Sequence, residues 1–198
     1  MVALDEFMLE QRLRRLPRQG RLAFALLLNE RMIPALYKFA NEADFDSSIY
    51  RRCLNGAWSC LDRGRASFDD DCVKECLEHA PETEDYNHLL TSAALNSALS
   101  IAAMMEYMAD DDVSHVVESA GLARDTAASY AQEMEAVAPR SLSFDEVMMH
   151  TLVLRELQQQ ADDLEFVEAL PVDIPQAAIA LVKERAVTMP ALLPPGLA

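Results

Sequence analysis

Glycine is scarce in this sequence. Only five of the 198 residues are glycine, whereas glycine usually makes up about 7% of a globular protein. Folds with many tight turns, and loops that wrap around phosphate groups, depend on glycine because it adopts backbone conformations that other residues avoid. The composition therefore disfavours a turn-rich β fold and a glycine-rich phosphate-binding loop, and it favours a protein built from helices.

Apolar residues recur at helical spacing along the chain. Tyr50, Leu54, Trp58 and Leu61, for example, form one apolar stripe of a helix. We therefore predict an all-α, single-domain helical bundle of seven or eight helices in residues 1–188, followed by a proline-rich apolar tail at 189–198. The tail is expected either to be loose or to lie against a surface as an extended arm. The predicted helices span residues 3–16, 18–41, 48–62, 69–79, 83–109, 113–138, 143–170 and 175–187.

Two residues inside predicted helices have structural consequences. Pro34 has no backbone N–H and its ring crowds the carbonyl of Glu30, so we expect the second helix to kink or break near Met32. Asn96 lies in the alanine-rich, nearly charge-free segment 92–103. A buried amide needs hydrogen-bond partners, so Asn96 is predicted to be a structural polar pin that contacts a neighbouring helix.

The net charge of −16 limits the possible partners. Residues 1–65 contain 11 Lys/Arg and 8 Asp/Glu, and residues 66–198 contain 6 and 25, so the acidic excess lies in the second part of the chain. Such a chain repels phosphate backbones and anionic lipids, and we expect no nucleic-acid or membrane partner. The one alternative is a basic site at the first helix and the residues that follow it, with Arg12, Arg14, Arg15, Arg18 and Arg21.

The sequence also indicates a compartment. The longest apolar run covers seven residues, 22–28, whereas a membrane span needs roughly 18. We find no secretory leader, and the four cysteines do not belong to a short disulfide-rich scaffold. We therefore expect a cytoplasmic protein with reduced thiols.

Polar and aromatic side chains are densest in residues 29–58. If the second and third helices form a hairpin, Glu30 could meet Arg51 or Arg52 and fix the register of the two helices. The alternative is a pocket in which the arginines hold an anion. The candidate ligand-binding residues are Glu30, Arg31, Tyr37, Arg51, Arg52 and Trp58.

Other residue sets are weaker candidates for chemistry. Cys72, Cys76 and His79 share one helical face and could bind a soft metal ion, but this spacing is not a standard zinc motif and core packing is the alternative. Carboxylate and histidine pairs occur without the Glu-x-x-His pattern of di-iron bundles. We therefore predict no metal site, no cofactor and no catalytic residue. The pairs are Asp85/His88, Asp112/His115 and Glu146/His150.

Two methionine clusters admit two interpretations. Methionine fills irregular gaps in a core, and it also forms adaptable surfaces that bind protein partners. The pattern favours core packing without excluding a partner surface. The clusters are Met104, Met105 and Met108 in the fifth predicted helix and Met148 and Met149 in the seventh.

The densest stretch also resembles a known family. Glu30, Arg31, Met32, Pro34, Tyr37 and Phe39, followed by Tyr50, Arg51, Arg52, Leu54 and Trp58, resemble the YjaG-like family of small bacterial proteins of unknown function. The resemblance extends over about residues 10–170 and is most specific between Leu22 and Leu61. It implies an all-α cytoplasmic protein and brings no activity. Asn96 stands where the family tends to have aspartate, and the tail at 189–198 differs from the family's usual ending.

Taken alone, the sequence predicts a non-enzymatic interaction or assembly protein. We expect it to form a homo-oligomer or to bind a protein partner, through the apolar tail or a methionine cluster. The alternative is a small-ligand (anion) binding protein or an enzyme with its site at the hairpin of the second and third helices.

Overall fold

The computed structural model describes residues 5–63, 71–82, 84–86, 88–135 and 142–193. Within these ranges the chain forms nine helices and no strand, which confirms the all-α prediction; eight helices have at least eight residues and one has five. The helices are α1 (Glu6–Arg15), α2 (Arg18–Ala43), α3 (Ser48–Arg63), α4 (Asp71–Glu78), α5 (Thr91–Asp110), α6 (Val113–Glu135), α7 (Phe144–Met148), α8 (Thr151–Glu168) and α9 (Gln176–Thr188).

Three long helices lie at the centre of the fold. α5 packs against both α2 and α6, and α2 also contacts α3, α8 and α9. The buried side chains of α5 include many alanines, such as Ala94, Ala98 and Ala102, and small side chains at a contact allow neighbouring helices to approach closely. One hydrophobic cluster contains buried residues from every helix except α7. No helix in the described ranges combines the length and the apolarity that a membrane crossing requires.

α2 runs through Pro34 as one helix, so of the two predicted outcomes near Met32, a kink or a break, the break is wrong. The proline leaves the Glu30 carbonyl without its helical donor, and the backbone acceptors of this turn face other elements. The Arg31 carbonyl accepts from the backbone N–H of Leu192 at 2.8 Å. The Met32 carbonyl accepts from the Ser97 hydroxyl of α5 at 3.1 Å. The turn that precedes Pro34 is therefore bonded to both α5 and the segment after α9.

The predicted helix over 143–170 is two helices. Ser143 and Glu146 form the expected capping box at the start of α7. α7 ends after five residues, because His150 has an extended backbone and begins a new helix. The His150 Nδ1 atom accepts from the backbone N–H of Leu152 at 3.3 Å and thereby caps α8. A short corner between α7 and α8 results.

α5 begins at Thr91, eight residues later than predicted. The preceding described residues form turns that are held by side chains. The Thr91 hydroxyl donates to the His88 carbonyl at 2.9 Å, and the Leu90 N–H donates to His88 Nδ1 at 3.1 Å. The Tyr86 ring packs edge-on against Phe39 of α2, with 5.0 Å between the ring centroids. These hydrogen bonds, together with the packing of Tyr86 on α2, outweigh the helical periodicity of the sequence.

The first part of the predicted tail lies on the protein. Leu192 and Leu193 pack against the hydrophobic core cluster, and Leu192 is also hydrogen-bonded to α2. Of the two expectations for the tail, residues 189–193 therefore follow the second, in which the tail lies against the surface as an extended arm. Residues 194–198 lie outside the described ranges.

Candidate functional site

Four of the six predicted site residues meet between α2 and α3. The Trp58 indole N–H donates to Glu30 Oε1 at 2.8 Å, and Arg51 Nη1 donates to the same oxygen at 3.1 Å. Arg51 Nε donates to the Tyr37 hydroxyl. We call Glu30, Tyr37, Arg51 and Trp58 the hairpin cluster. Lys183 of α9 lies 5.8 Å from the centroid of the Trp58 ring and covers one side of the cluster.

Electrostatics within the hairpin cluster reflect this pairing. Burial by itself lowers the pKa of Arg51, but the hydrogen bond to Tyr37 and the negative charge of Glu30 outweigh burial and raise it. Burial raises the pKa of Tyr37, and the contact with Arg51 opposes that shift. Each polar group of the cluster therefore has a partner within it, which is the arrangement of a structural ion pair.

Arg31 and Arg52 do not join the hairpin cluster. Arg52 pairs with Glu75 of α4 at the surface, and its side chain is 62% exposed. Arg31 follows Glu30 directly, and successive residues of a helix point about 100° apart. Glu30 therefore faces α3, whereas Arg31 faces α8.

Arg31 lies in a second, buried set of charges. Its Nη2 atom donates to Glu156 Oε1 at 2.6 Å and its Nη1 atom donates to Asp163. Arg185 of α9 binds the other oxygen of Asp163 at 2.7 Å. The side chains of Arg31, Glu156 and Asp163 are at most 3% exposed. We call Arg31, Glu156, Asp163 and Arg185 the buried charge cluster, in which two positive charges balance two negative ones.

A small cleft borders the buried charge cluster. Its volume is about 40 Å³, and its lining includes Arg31, Tyr130, Leu152, Arg155 and residues 190–193. The Tyr130 hydroxyl and Arg31 Nε are both buried, and neither has a hydrogen-bond partner among the described residues. We call this space the C-terminal cleft. Two residues that line it thus carry a buried polar atom without a partner among the described residues.

The sequence interpretation included Arg31 but not its partners. Glu156, Gln160 and Asp163 recur at i, i+4 and i+7, so they share one face of α8. Apolar residues of the same helix, such as Val153 and Val167, are buried beside them. Polar residues that interrupt a buried apolar stripe are a signal that could have identified the cluster.

The structure brings together two cysteines that the weak candidate set of Cys72, Cys76 and His79 did not pair. Cys53 of α3 and Cys76 of α4 are buried, and their Sγ atoms lie 3.5 Å apart. The hydrogen bond to Cys76, together with burial, raises the pKa of Cys53. His79 is exposed and its Nδ1 atom lies 2.9 Å from the Glu75 carbonyl of its own helix. His79 therefore contacts backbone rather than completing a ligand set with Cys72 and Cys76.

One group of side chains in the described ranges has the spacing of metal ligands. Ligand atoms of Glu106, His115 and Glu118 all lie within 4.8 Å of one another, at the contact of α5 and α6. His115 already faces carboxylates with both ring nitrogens, at 3.4 Å from Glu106 and 3.1 Å from Asp110. Asp112, which we had paired with His115, accepts from the Ser114 N–H instead, and this hydrogen bond lowers its pKa. Both ring nitrogens of His115 are therefore already engaged within this group.

The remaining predicted residues, Asn96 and the two methionine clusters, differ in their burial. Asn96 is partly buried, and its Nδ2 atom donates to the Thr126 hydroxyl of α6 at 3.1 Å. Met104, Met105 and Met108 are buried in the core. In the second methionine cluster, Met149 is 69% exposed, and the neighbouring Phe144 is 77% exposed.

The fold and these sites define an all-helical protein with a hydrophobic core and two internal sets of paired charges. A family model described as "Protein of unknown function (DUF416)" matches residues 8–188, so the chain belongs to this family. The structure is similar to the crystal structure of a DUF416 family protein from Shewanella baltica OS155. That comparison has a TM-score of 0.78 and 21% sequence identity, and it covers 90% of this chain and 92% of the other. A comparison with curated proteins gave no match.

Proposed function

We propose that this DUF416 protein is a cytoplasmic interaction or assembly protein, not an enzyme, and that it associates with a second copy of itself. We also infer that it is a bacterial, YjaG-like member, on the residues of the α2–α3 hairpin quoted above. The family description assigns no activity, so the function is argued from exposed surface and from paired charges.

One observation carries the proposal. Phe144 and Met149 are 77% and 69% exposed and lie at the two ends of α7, and Met134 near the end of α6 is 47% exposed. α6 and α7 are in contact. We call Met134, Phe144 and Met149 the α7 corner. Aromatic residues and methionine are enriched at protein interfaces, and the commonest soluble assembly is a two-fold dimer in which one surface meets itself.

The hairpin cluster favours a structural role over the alternative of an anion site or active site there. Arg51 binds Glu30 and Tyr37, and Arg52 binds Glu75. An arginine that is already paired with a carboxylate has less to offer an anion. The two helices also keep a fixed register through these contacts, which is a known use of a partly buried ion pair.

The proposal is tested by the mass of the protein in solution. We expect light scattering to give about twice the 22.1 kDa of one chain. The double variant Phe144→Ser/Met149→Ser should return the mass to that of one chain. Val172→Ser/Val187→Ser is a matched control, because these residues are 72% and 86% exposed and do not belong to the α7 corner.

Two outcomes would overturn the proposal. A wild-type protein with the mass of one chain at every concentration would exclude self-association. A control variant that dissociates as readily as the corner variant would show that association does not use the α7 corner.

A further inference from the structure

The C-terminal cleft combines an open space with polar groups that have no partner. Its walls come from α6, α8 and the segment after α9, and Arg31 and Glu156 of the buried charge cluster also line it. The Leu192 N–H binds the Arg31 carbonyl at 2.8 Å and holds the C-terminal segment over the cleft. Ala127, Leu152, Pro190, Leu192 and Leu193 make much of the wall apolar.

Two buried polar groups lack partners at this site. Tyr130 is 2% exposed and Arg31 is 2% exposed, yet the Tyr130 hydroxyl and Arg31 Nε make no hydrogen bond within the described part of the chain. A buried polar group without a partner destabilises the folded protein. Both residues line the cleft, so a molecule bound there would lie next to both side chains. Arg31 Nε can only donate, and the hydroxyl of Tyr130 can donate as well.

The charges of the cleft favour a negative ligand. The buried charge cluster is neutral as a set, since Arg31 and Arg185 balance Glu156 and Asp163. Arg155 lines the cleft, is exposed, and has no ion-pair partner among the described residues. It therefore adds one uncompensated positive charge at the mouth.

Two acidic groups oppose this preference. Glu156 lines the cleft but is paired with Arg31, and the charge of Glu133 acts on Tyr130. Glu133 does not line the cleft, and burial raises its pKa, which reduces its tendency to ionise. The charge that remains uncompensated at the cleft is therefore the positive charge of Arg155.

The volume of the cleft also limits the size of the group that can bind there. The cleft has a volume of about 40 Å³. One water molecule needs about 10–15 Å³ when volume is measured in this way, so the cleft has room for roughly three atoms of that size. A carboxylate group has three heavy atoms. We propose that the C-terminal cleft binds the carboxylate group of a small aliphatic acid, with Tyr130, Arg155 and Arg31 Nε as donors and with the aliphatic part against Leu192 and Leu193. This inference does not depend on self-association.

The test uses sodium propionate as the probe and compares it with sodium chloride at equal ionic strength. We expect saturation-transfer NMR to detect propionate on the full-length wild-type protein. Arg155→Gln and Tyr130→Phe should each weaken binding about tenfold or more, because each removes a hydrogen bond to a charged group. Arg14→Gln is the matched control, since it removes the same charge from an exposed arginine of α1 that pairs with Glu10.

Tyr130→Phe separates a ligand-binding role from a structural one. The hydroxyl has no protein partner among the described residues, so its removal should leave the thermal midpoint of the unliganded protein unchanged or higher. Loss of propionate binding without loss of stability supports the site. A lower midpoint would mean that the hydroxyl has a structural partner, and it would count against the proposal.

Three further results would overturn the inference. Wild-type protein that gives no more signal with propionate than a sample without protein has no such site. Equal losses for Arg155→Gln and Arg14→Gln would show that only net charge matters. Binding of inorganic phosphate in place of propionate would contradict the proposed ligand class.

Discussion

Arg31 of α2 and Glu156 of α8 form a buried ion pair at 2.6 Å, although 125 positions of sequence separate them. The contact brings a central helix and a late helix together through charge rather than through apolar packing alone. Gln160 also donates to Glu156 at 2.9 Å. A buried ion pair of this kind is costly to break, because the remaining partner is left charged and without water.

The first prediction concerns this pair. Arg31→Ala leaves Glu156 and Asp163 buried without their main counter-charge, so it should lower the free energy of unfolding by about 3–5 kcal/mol. Arg52→Ala removes an arginine from an exposed pair and should cost less than about 1 kcal/mol. Urea unfolding, followed by circular dichroism, measures both. Equal losses would mean that the Arg31 pairs do not contribute as buried interactions.

The second prediction concerns the hairpin cluster. Glu30→Ala removes the acceptor of both Trp58 and Arg51 and should lower the free energy of unfolding by about 1–3 kcal/mol. Trp58 is the only tryptophan, so its emission spectrum reports on this contact directly and should change in the folded variant. Glu75→Ala, which breaks the surface pair with Arg52, should leave the emission spectrum as it is. An unchanged spectrum in Glu30→Ala would contradict the contact.

The third prediction concerns thiol reactivity. Cys53 is buried against Cys76, and the raised pKa of its thiol reduces the reactive thiolate. Iodoacetamide should therefore label Cys72, which is partly exposed, well before it labels Cys53. Mass spectrometry of peptides gives the rate at each position, and labelling in urea supplies the control, because all four cysteines should then react alike. Equal rates in the native protein would argue against the burial of Cys53.

The fourth prediction concerns alkaline pH. Burial raises the pKa values of Tyr50, Tyr107 and Tyr130 above their usual value of 10.0. Above pH 10 the unfolded chain loses these phenolic protons while the folded chain keeps them, so stability falls as pH rises through this window. Tyrosinate absorbance from these residues should appear together with the loss of helical circular dichroism. Ionisation of all five tyrosines before unfolding would contradict their burial.

Local patterns predicted much of the helical structure, and contacts across the fold decided the remainder. The Ser143 capping box and the Glu30–Arg51 pair involve residues on one helix or on consecutive helices, where spacing limits the possible partners. The late start of α5 depends on Tyr86 packing against α2, which no local pattern reveals. The division into one domain and a tail stays a prediction.

The buried charge cluster could not be predicted for a related reason. The chain has 33 Asp and Glu residues, and any of them is a chemically suitable partner for Arg31. Only the packing of α8 against α2 selects Glu156 and Asp163. The sequence pattern is the same for both methionine clusters. It therefore could not predict that Met149 is exposed whereas Met104 is buried.

The buried charge cluster has a consequence for the order of folding. The Arg31 side chain of α2 is engaged by residues 156 and 163. During synthesis, α2 therefore emerges with a guanidinium whose protein partners do not yet exist, and water must solvate it. Burial of α2 is completed only when chain more than 120 positions downstream arrives, so the early helices alone do not form a finished folding unit.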